Sequence, residues 1–235
     1  MTAQQIQKRL GIIGGLGPEA SCKFCLNVNR KFKAITNNQP DMVIENLPVP
    51  SHVEEKIIKE TSEEMFNLLT NAVIRLNNSE VDFIAIPCNT VHIFIDQLRK
   101  VSKVPILSII EECAKECKKR SLNNIGVLAT TKSIQDKLHV NELKNNGINV
   151  LLPTQENQKK INEIILQRLH NENNQNNKLK LLNIINELKN NGAEAIILGC
   201  TELSLLIPNN DFNIPFLDSC AVLEDSAINK LVSNI

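Results

Sequence analysis

Asp82-Phe83-Ile84-Ala85-Ile86-Pro87-Cys88-Asn89-Thr90 and Glu194-Ala195-Ile196-Ile197-Leu198-Gly199-Cys200-Thr201-Glu202 share one pattern. Each opens on an acidic residue, runs through a short apolar stretch and closes on a Cys followed by polar residues. Such a run reads as a buried strand that ends in a turn. The likeness extends outward in both directions. Leu10-Gly11-Ile12-Ile13-Gly14 resembles Ile125-Gly126-Val127-Leu128-Ala129, and Val104-Pro105-Ile106-Leu107 resembles Ile214-Pro215-Phe216-Leu217. Gly126 follows Gly11 by 115 residues, Cys200 follows Cys88 by 112, and Pro215 follows Pro105 by 110. Near-constant offsets predict two similar units in tandem.

Eight runs read as brief, buried strands: Leu10–Gly14, Met42–Asn46, Phe83–Pro87, Pro105–Leu107, Ile125–Ala129, Asn149–Leu152, Ala195–Leu198 and Pro215–Leu217. Helical patterns lie between them. Ser62–Leu76 sets Met65, Phe66, Leu69, Val73 and Leu76 on one face, with Thr61 and Glu64 spaced as a capping box. Strand and helix alternating along the whole chain predict an α/β fold of parallel sheets covered on both faces.

The 235 residues allow one large domain or two smaller ones. Lys+Arg 26 balances Asp+Glu 26, so there is no basic field to attract nucleic acid or anionic lipid. All 7 aromatics are Phe, which removes the Trp and Tyr platforms that stack bases. No apolar run reaches the roughly 18 residues that span a bilayer. Met1 to Leu10 is polar and basic rather than a signal peptide. With 7 Cys, an odd number, the expectation is reduced thiols in a cytoplasmic protein. The Asn-rich stretch at 171–177 reads as solvated compositional bias.

Cys88 and Cys200 carry the chemical argument. Each sits just past the carboxyl end of a predicted strand, where open α/β sheets place ligands. A helix N-terminus there is expected to lower the thiol pKa and to stabilise a nearby anion. The bland reading, two buried core cysteines, does not account for matched positions in a repeat. Cys22 and Cys25, one turn apart on a predicted helix, fit either a redox pair or two small residues of the helix; Cys113 and Cys117 read as core, and Cys220 as a cavity edge. Gly15-x-Gly17-x-x-Ala20 matches the loose dinucleotide fingerprint. A tight turn cradling a small carboxylate fits it equally. His92, one turn from Cys88, either orients the thiol or caps a hydrogen bond, and His52 reads as a loop residue on the ligand side. No His has a partner at metal-ligand spacing, so no metal is expected.

Gly14-Gly15-Leu16-Gly17-Pro18, Pro87-Cys88-Asn89-Thr90-Val91-His92, Ala129-Thr130-Thr131 and Gly199-Cys200-Thr201-Glu202-Leu203 together resemble the cofactor-independent aspartate/glutamate racemase family, in its aspartate racemase branch. The resemblance implies two pseudo-symmetric α/β lobes with the active site in the cleft between them. It implies a discontinuous first lobe, 1–106 plus 214–235, carrying Cys88, and a second lobe, 107–213, carrying Cys200. It also implies a homodimer, a small acidic amino-acid substrate, and neither pyridoxal phosphate nor metal. Residue by residue, Cys88 and Cys200 match the acid/base pair. Asn89, Thr90, Val91, Thr130, Thr131 and Thr201 match the groups around the α-carboxylate, and Lys159 matches a substrate-binding Lys. Several aspartate racemases carry Arg in the loop where this chain has His52, so His52 and Lys159 are the expected readers of the distal carboxylate.

Two thiols from opposed lobes suit inversion of a stereocentre, which needs a base on one face of the carbon and an acid on the other. The sequence also admits competing readings. One is another thiol-dependent enzyme on small dicarboxylates, such as a maleate isomerase or a decarboxylase. Others are a nicotinamide-dependent oxidoreductase, which leaves the second Cys unexplained, and a catalytically silent small-molecule sensor.

Overall fold

A computed structural model describes residues 8–170, 172, 176–207 and 213–233. Most of the Asn-rich stretch and the first seven residues lie outside the described residues. The elements run β1 (Arg9–Gly14), α1 (Pro18–Thr36), β2 (Asp41–Asn46), α2 (Ser51–Lys59), α3 (Glu63–Asn78), β3 (Phe83–Ala85), a 3-10 turn (Thr90–Phe94), α4 (Ile95–Val101) and β4 (Ile106–Leu107). They continue with α5 (Ile109–Lys119), β5 (Asn124–Ala129), α6 (Thr131–Gln135), α7 (Leu138–Asn145), β6 (Asn149–Leu151), α8 (Gln155–Leu169), α9 (Asn176–Asn190), β7 (Ala195–Gly199), α10 (Thr201–Ser204), β8 (Phe216–Asp218) and α11 (Ser219–Val232).

All eight expected strands form, and they make two parallel sheets of identical order, β2-β1-β3-β4 and β6-β5-β7-β8. The order reverses between β1 and β3, and again between β5 and β7. Loops leaving neighbouring strands part company at such points and open a crevice at the carboxyl edge. Cys88 follows β3 and Cys200 follows β7, so each thiol stands at its sheet's switch point. The strands are not uniformly buried as expected. β1, β3, β5 and β7 are buried in the sheet centres, while β2 and β6 are edge strands with partly exposed side chains.

The helices cross between the sheets. After β4 of the first sheet, α5 buries Cys113 and Cys117 against Ile125, Val127 and Leu217 of the second. After β8 of the second sheet, α11 buries Leu223, Ala227, Ile228 and Leu231 against Leu10, Ile12 and Phe24 of the first lobe. The expected boundary at 214 is therefore corrected for one element: β8 pairs with β7 and stays in the second sheet, while α11 joins the first lobe. Backbone pairing fixes where a strand belongs, whereas the helix follows its apolar face.

A third apolar cluster runs through the seam between lobes, joining Ile13, Ile57, Ile58 and Met65 to Leu128, Ile161 and Ile165. The start of α3 also differs from the capping box read from sequence. Ser62, not Thr61, is the N-cap, and its hydroxyl accepts from the Met65 N–H.

Candidate active site between the lobes

Gly15 and Gly17 have φ near +80° and +89°, in the left-handed region. A side chain at Gly15 would run into the Leu47 carbonyl, and one at Gly17 would press on the Glu202 carboxylate. The turn thus brings the α1 N-terminus up to the opposite lobe, with Pro18 in its first turn. The Gly17 N–H acts on the Glu54 carboxylate, easing the rise in pKa that burial causes. The carboxylates that bear on this turn, Glu54 and Glu202, belong to the protein itself.

Beside this turn lies a cavity that opens in part to solvent. Cys88, Thr90 and Val91 face it from the first lobe; Thr130, Cys200 and Thr201 face it from the second. Both thiols are half-buried and unbridged. The Val91 and Thr90 N–H groups act on Cys88, and those of Glu202 and Leu203 on Cys200, each favouring the thiolate. These donors are the helix-terminal amides anticipated from sequence, but they do not lower the pKa overall. Desolvation outweighs them, pushing Cys88 up to about 11 and Cys200 up to about 12. The Glu202 carboxylate pushes both thiols the same way, and Glu54 adds to the effect on Cys88.

Hydroxyls meet across the seam. Thr90 Oγ1 lies 3.1 Å from Thr130 Oγ1, and Ser133 Oγ is 2.9 Å from Thr130 Oγ1 and 3.4 Å from Thr90 Oγ1. Thr130 also caps α6, accepting from the Ser133 N–H. Thr131 is held from behind, its N–H donating to Asn162 Oδ1 at 2.9 Å.

Asn89 behaves otherwise than expected. It is buried behind Cys88, away from the cavity lining. Its Oδ1 accepts from His139 Nε2 at 3.0 Å, its Nδ2 donates to Ser219 Oγ at 2.9 Å, and Ser219 in turn donates to the Leu198 carbonyl at 2.8 Å. Both ends of the amide are thereby committed to joining the lobes. His92 is likewise structural. Its Nδ1–H donates to the Cys88 carbonyl at 2.7 Å and its Nε2 accepts from the Ile109 N–H at 3.2 Å. Burial lowers its pKa to about 4, so the ring is a neutral strut fixing the Cys88 loop on α5.

His52 and Lys159 lie outside the cavity. Residues 48–52, read as loop, end in α2, which begins at Ser51 and turns Val53, Ile57 and Ile58 inward. Helical phase then sends His52 to solvent, its side chain 72% exposed and 3.4 Å from Glu64. Lys159 projects from α8 into a separate groove shared with α9, beside Glu163 and Glu187. The α8 face that meets the cavity carries Ile165 and Leu169 instead.

Two cavity carboxylates were missed by sequence reasoning, Glu54 on α2 and Glu202 two residues past Cys200. Desolvation raises the pKa of both. Glu202 was visible in the second Cys motif, but nothing in the sequence marked Glu54 before α2 was known.

The Asp/Glu/Hydantoin racemase family model matches residues 13–227. This chain belongs to that family. The broad specificity amino-acid racemase RacX of Bacillus subtilis (strain 168) is 28% identical over 229 residues, 95% of this chain and 98% of RacX. A Picrophilus torridus aspartate racemase structure superposes with a TM-score of 0.81 at 28% identity, covering 97% of this chain and 95% of that one. An aspartate racemase homologue from Pyrococcus horikoshii OT3 superposes with a TM-score of 0.77 at 26% identity, covering 95% and 99%. Membership of the family supports a racemase, an isomerase.

Proposed function

We propose that this racemase inverts the α-carbon of an amino acid without pyridoxal phosphate, using Cys88 and Cys200 as opposed acid and base. The observation that carries the reading is the pair of thiols on one cavity, contributed by matched strand ends of the two lobes. A dinucleotide or silent-sensor reading leaves this pair without a purpose.

In one direction, the thiolate on one face takes the proton from Cα. The C–H bond breaks, an S–H bond forms, and the electron pair stays on carbon, spread into the α-carboxylate. The thiol on the other face then gives its proton to Cα, becoming the thiolate. The two sulfurs end with exchanged protonation states, and solvent exchange restores them. The reverse reaction swaps their roles.

The developing charge on the carboxylate needs donors fixed in advance. Thr90 and Thr130, whose hydroxyls meet across the seam, together with Thr201, supply them from both lobes. The amides of Thr90 and Val91 serve the Cys88 sulfur instead, where they stabilise the thiolate when it forms.

Two outcomes follow. Racemisation of an L-amino acid, read as loss of optical rotation, persists after hydroxylamine and EDTA treatment followed by buffer exchange. Loss of activity that pyridoxal phosphate or zinc restores would overturn the reading. The second outcome concerns pH. With thiols at about 11 and 12, the base form is scarce at neutral pH and the acid form abundant. Raising pH from about 7 to 9 therefore increases the thiolate about tenfold per unit while its partner stays protonated. The expected kcat/KM climbs with a slope near one over that range, since this parameter reports the free enzyme. A flat profile would show that neither buried thiol is the titrating base.

A further inference from the structure

The expectation of an acidic substrate requires a cation facing the cavity, and among the described residues the lining has none. Its walls are Leu16, Val49, Ile57, Ile58 and Met65 from the first lobe and Ile165 and Leu169 from the second. Its charged groups are both carboxylates, Glu54 and Glu202. The guanidinium that acts on Glu202 is that of Arg168, outside the lining, and it donates to Glu19 at 3.1 Å. Glu19, Glu54 and Glu202 outnumber Arg168 here, and His170, the other cation that acts on Glu54, is paired with Glu55 at 3.0 Å.

The position of the acidic corner identifies what it receives. Glu202 follows Cys200 by two residues, and its charge acts on both thiols. Glu54 and Glu202 both bear on Gly17, in the same cavity as the thiols. The carbon that reacts must lie between the sulfurs, so a group directly attached to it falls within reach of this corner. The substituents on that carbon are a carboxylate, an ammonium, a hydrogen and the side chain. The threonine hydroxyls suit the carboxylate and the carboxylates suit the ammonium. The apolar wall remains for the side chain.

Resting on the two-thiol racemase reading, we infer that the substrate is an amino acid with an apolar, uncharged side chain, its ammonium held by Glu202 with Glu54 and its side chain packed on Ile57, Ile58, Ile165 and Leu169. A substrate bearing a second carboxylate would bury that charge beside two others, with the neighbouring Arg168 already donating to Glu19, and like charges so placed cost several powers of ten in other buried sites. A second ammonium would be desolvated against the isoleucines. The raised carboxylate pKa values of Glu54 and Glu202 agree with a corner that lacks its cation until substrate arrives.

The test is α-deuterium exchange in heavy water with L-Leu, L-Met, L-Asp, L-Glu and L-Lys, followed by mass spectrometry. The expected kcat/KM for L-Leu and L-Met exceeds that for L-Asp and L-Glu at least about a hundredfold, and that for L-Lys at least about tenfold. Faster exchange of Asp, Glu or Lys overturns the substrate class and leaves the racemase reading standing. Exchange of none of the five overturns the racemase reading itself. Glu202→Gln, which keeps the side-chain shape, should raise KM for L-Met at least about tenfold in a protein that melts as the parent does. An unchanged KM would remove Glu202 from ammonium binding.

Discussion

Cys88→Ala and Cys200→Ala each lower racemisation at least about a thousandfold, in both directions, while the fold persists. A positioned acid or base contributes roughly a hundred- to ten-thousandfold. Here the loss falls in the upper part of that range, because among the described residues no other group in the lining can take over: the remaining titratable ones, Glu54 and Glu202, share one corner. The fold should tolerate either change, since both thiols are half-buried at the cavity rather than packed in a core. Cys113 and Cys117 give the internal comparison. They are fully buried under the second sheet, so Cys113→Ala should lower stability and leave the rate per folded molecule nearly unchanged. Circular dichroism and chiral chromatography separate the two behaviours. Near-parental racemisation by either cavity variant would remove the two-thiol mechanism.

Asn89→Ala should destabilise the protein by about 2–4 kcal/mol and lower kcat far more than it raises KM. The substitution leaves the buried His139 ring without its hydrogen bond and removes the donor to the buried Ser219 hydroxyl, and an unsatisfied buried group costs about 1–3 kcal/mol. His139 is already short of one partner, its Nδ1 being buried without a hydrogen bond. The lobes lose the bridge that runs from Asn89 through Ser219 to the Leu198 carbonyl at the end of β7. Because that strand carries Cys200, the expected consequence is a misplaced thiol pair, read in kcat, alongside a lower urea midpoint. Were Asn89 instead a direct ligand of the α-carboxylate, the dominant change would be in KM, with stability little affected.

The strand ends and the repeat were legible because buried parallel strands are short apolar runs, and both cysteines sit where those runs stop. The crossing of α5 and α11 was only half visible. Their apolar faces are evident in the sequence, but which sheet a face covers is decided by tertiary packing, across about two hundred residues of separation for α11. The side chains of the site were harder still. His52 and Glu54 are two residues apart, and only the phase of α2 decides that the carboxylate reaches the cavity while the imidazole faces solvent. Pro48-Val49-Pro50 hides that phase by ending the strand in a segment that reads as loop. Asn89 carries a polar side chain beside a catalytic candidate, and sequence does not tell a ligand-facing amide from one spent on a buried bridge.

Opposed acid and base leave an isotopic record that a single shared base does not. The direct measurement is a short incubation with one enantiomer in heavy water, stopped at a few per cent conversion, with each enantiomer then isolated and its Cα–H mass determined. A thiol carries one proton. The abstracted hydrogen can therefore return only to the face it left, while the opposite thiol delivers deuterium. The expected product enantiomer is fully deuterated at Cα, and the recovered starting enantiomer retains its hydrogen. Deuterium appearing equally in both enantiomers, or hydrogen carried into the product, would contradict the assignment of Cys88 and Cys200 to opposite faces of one carbon.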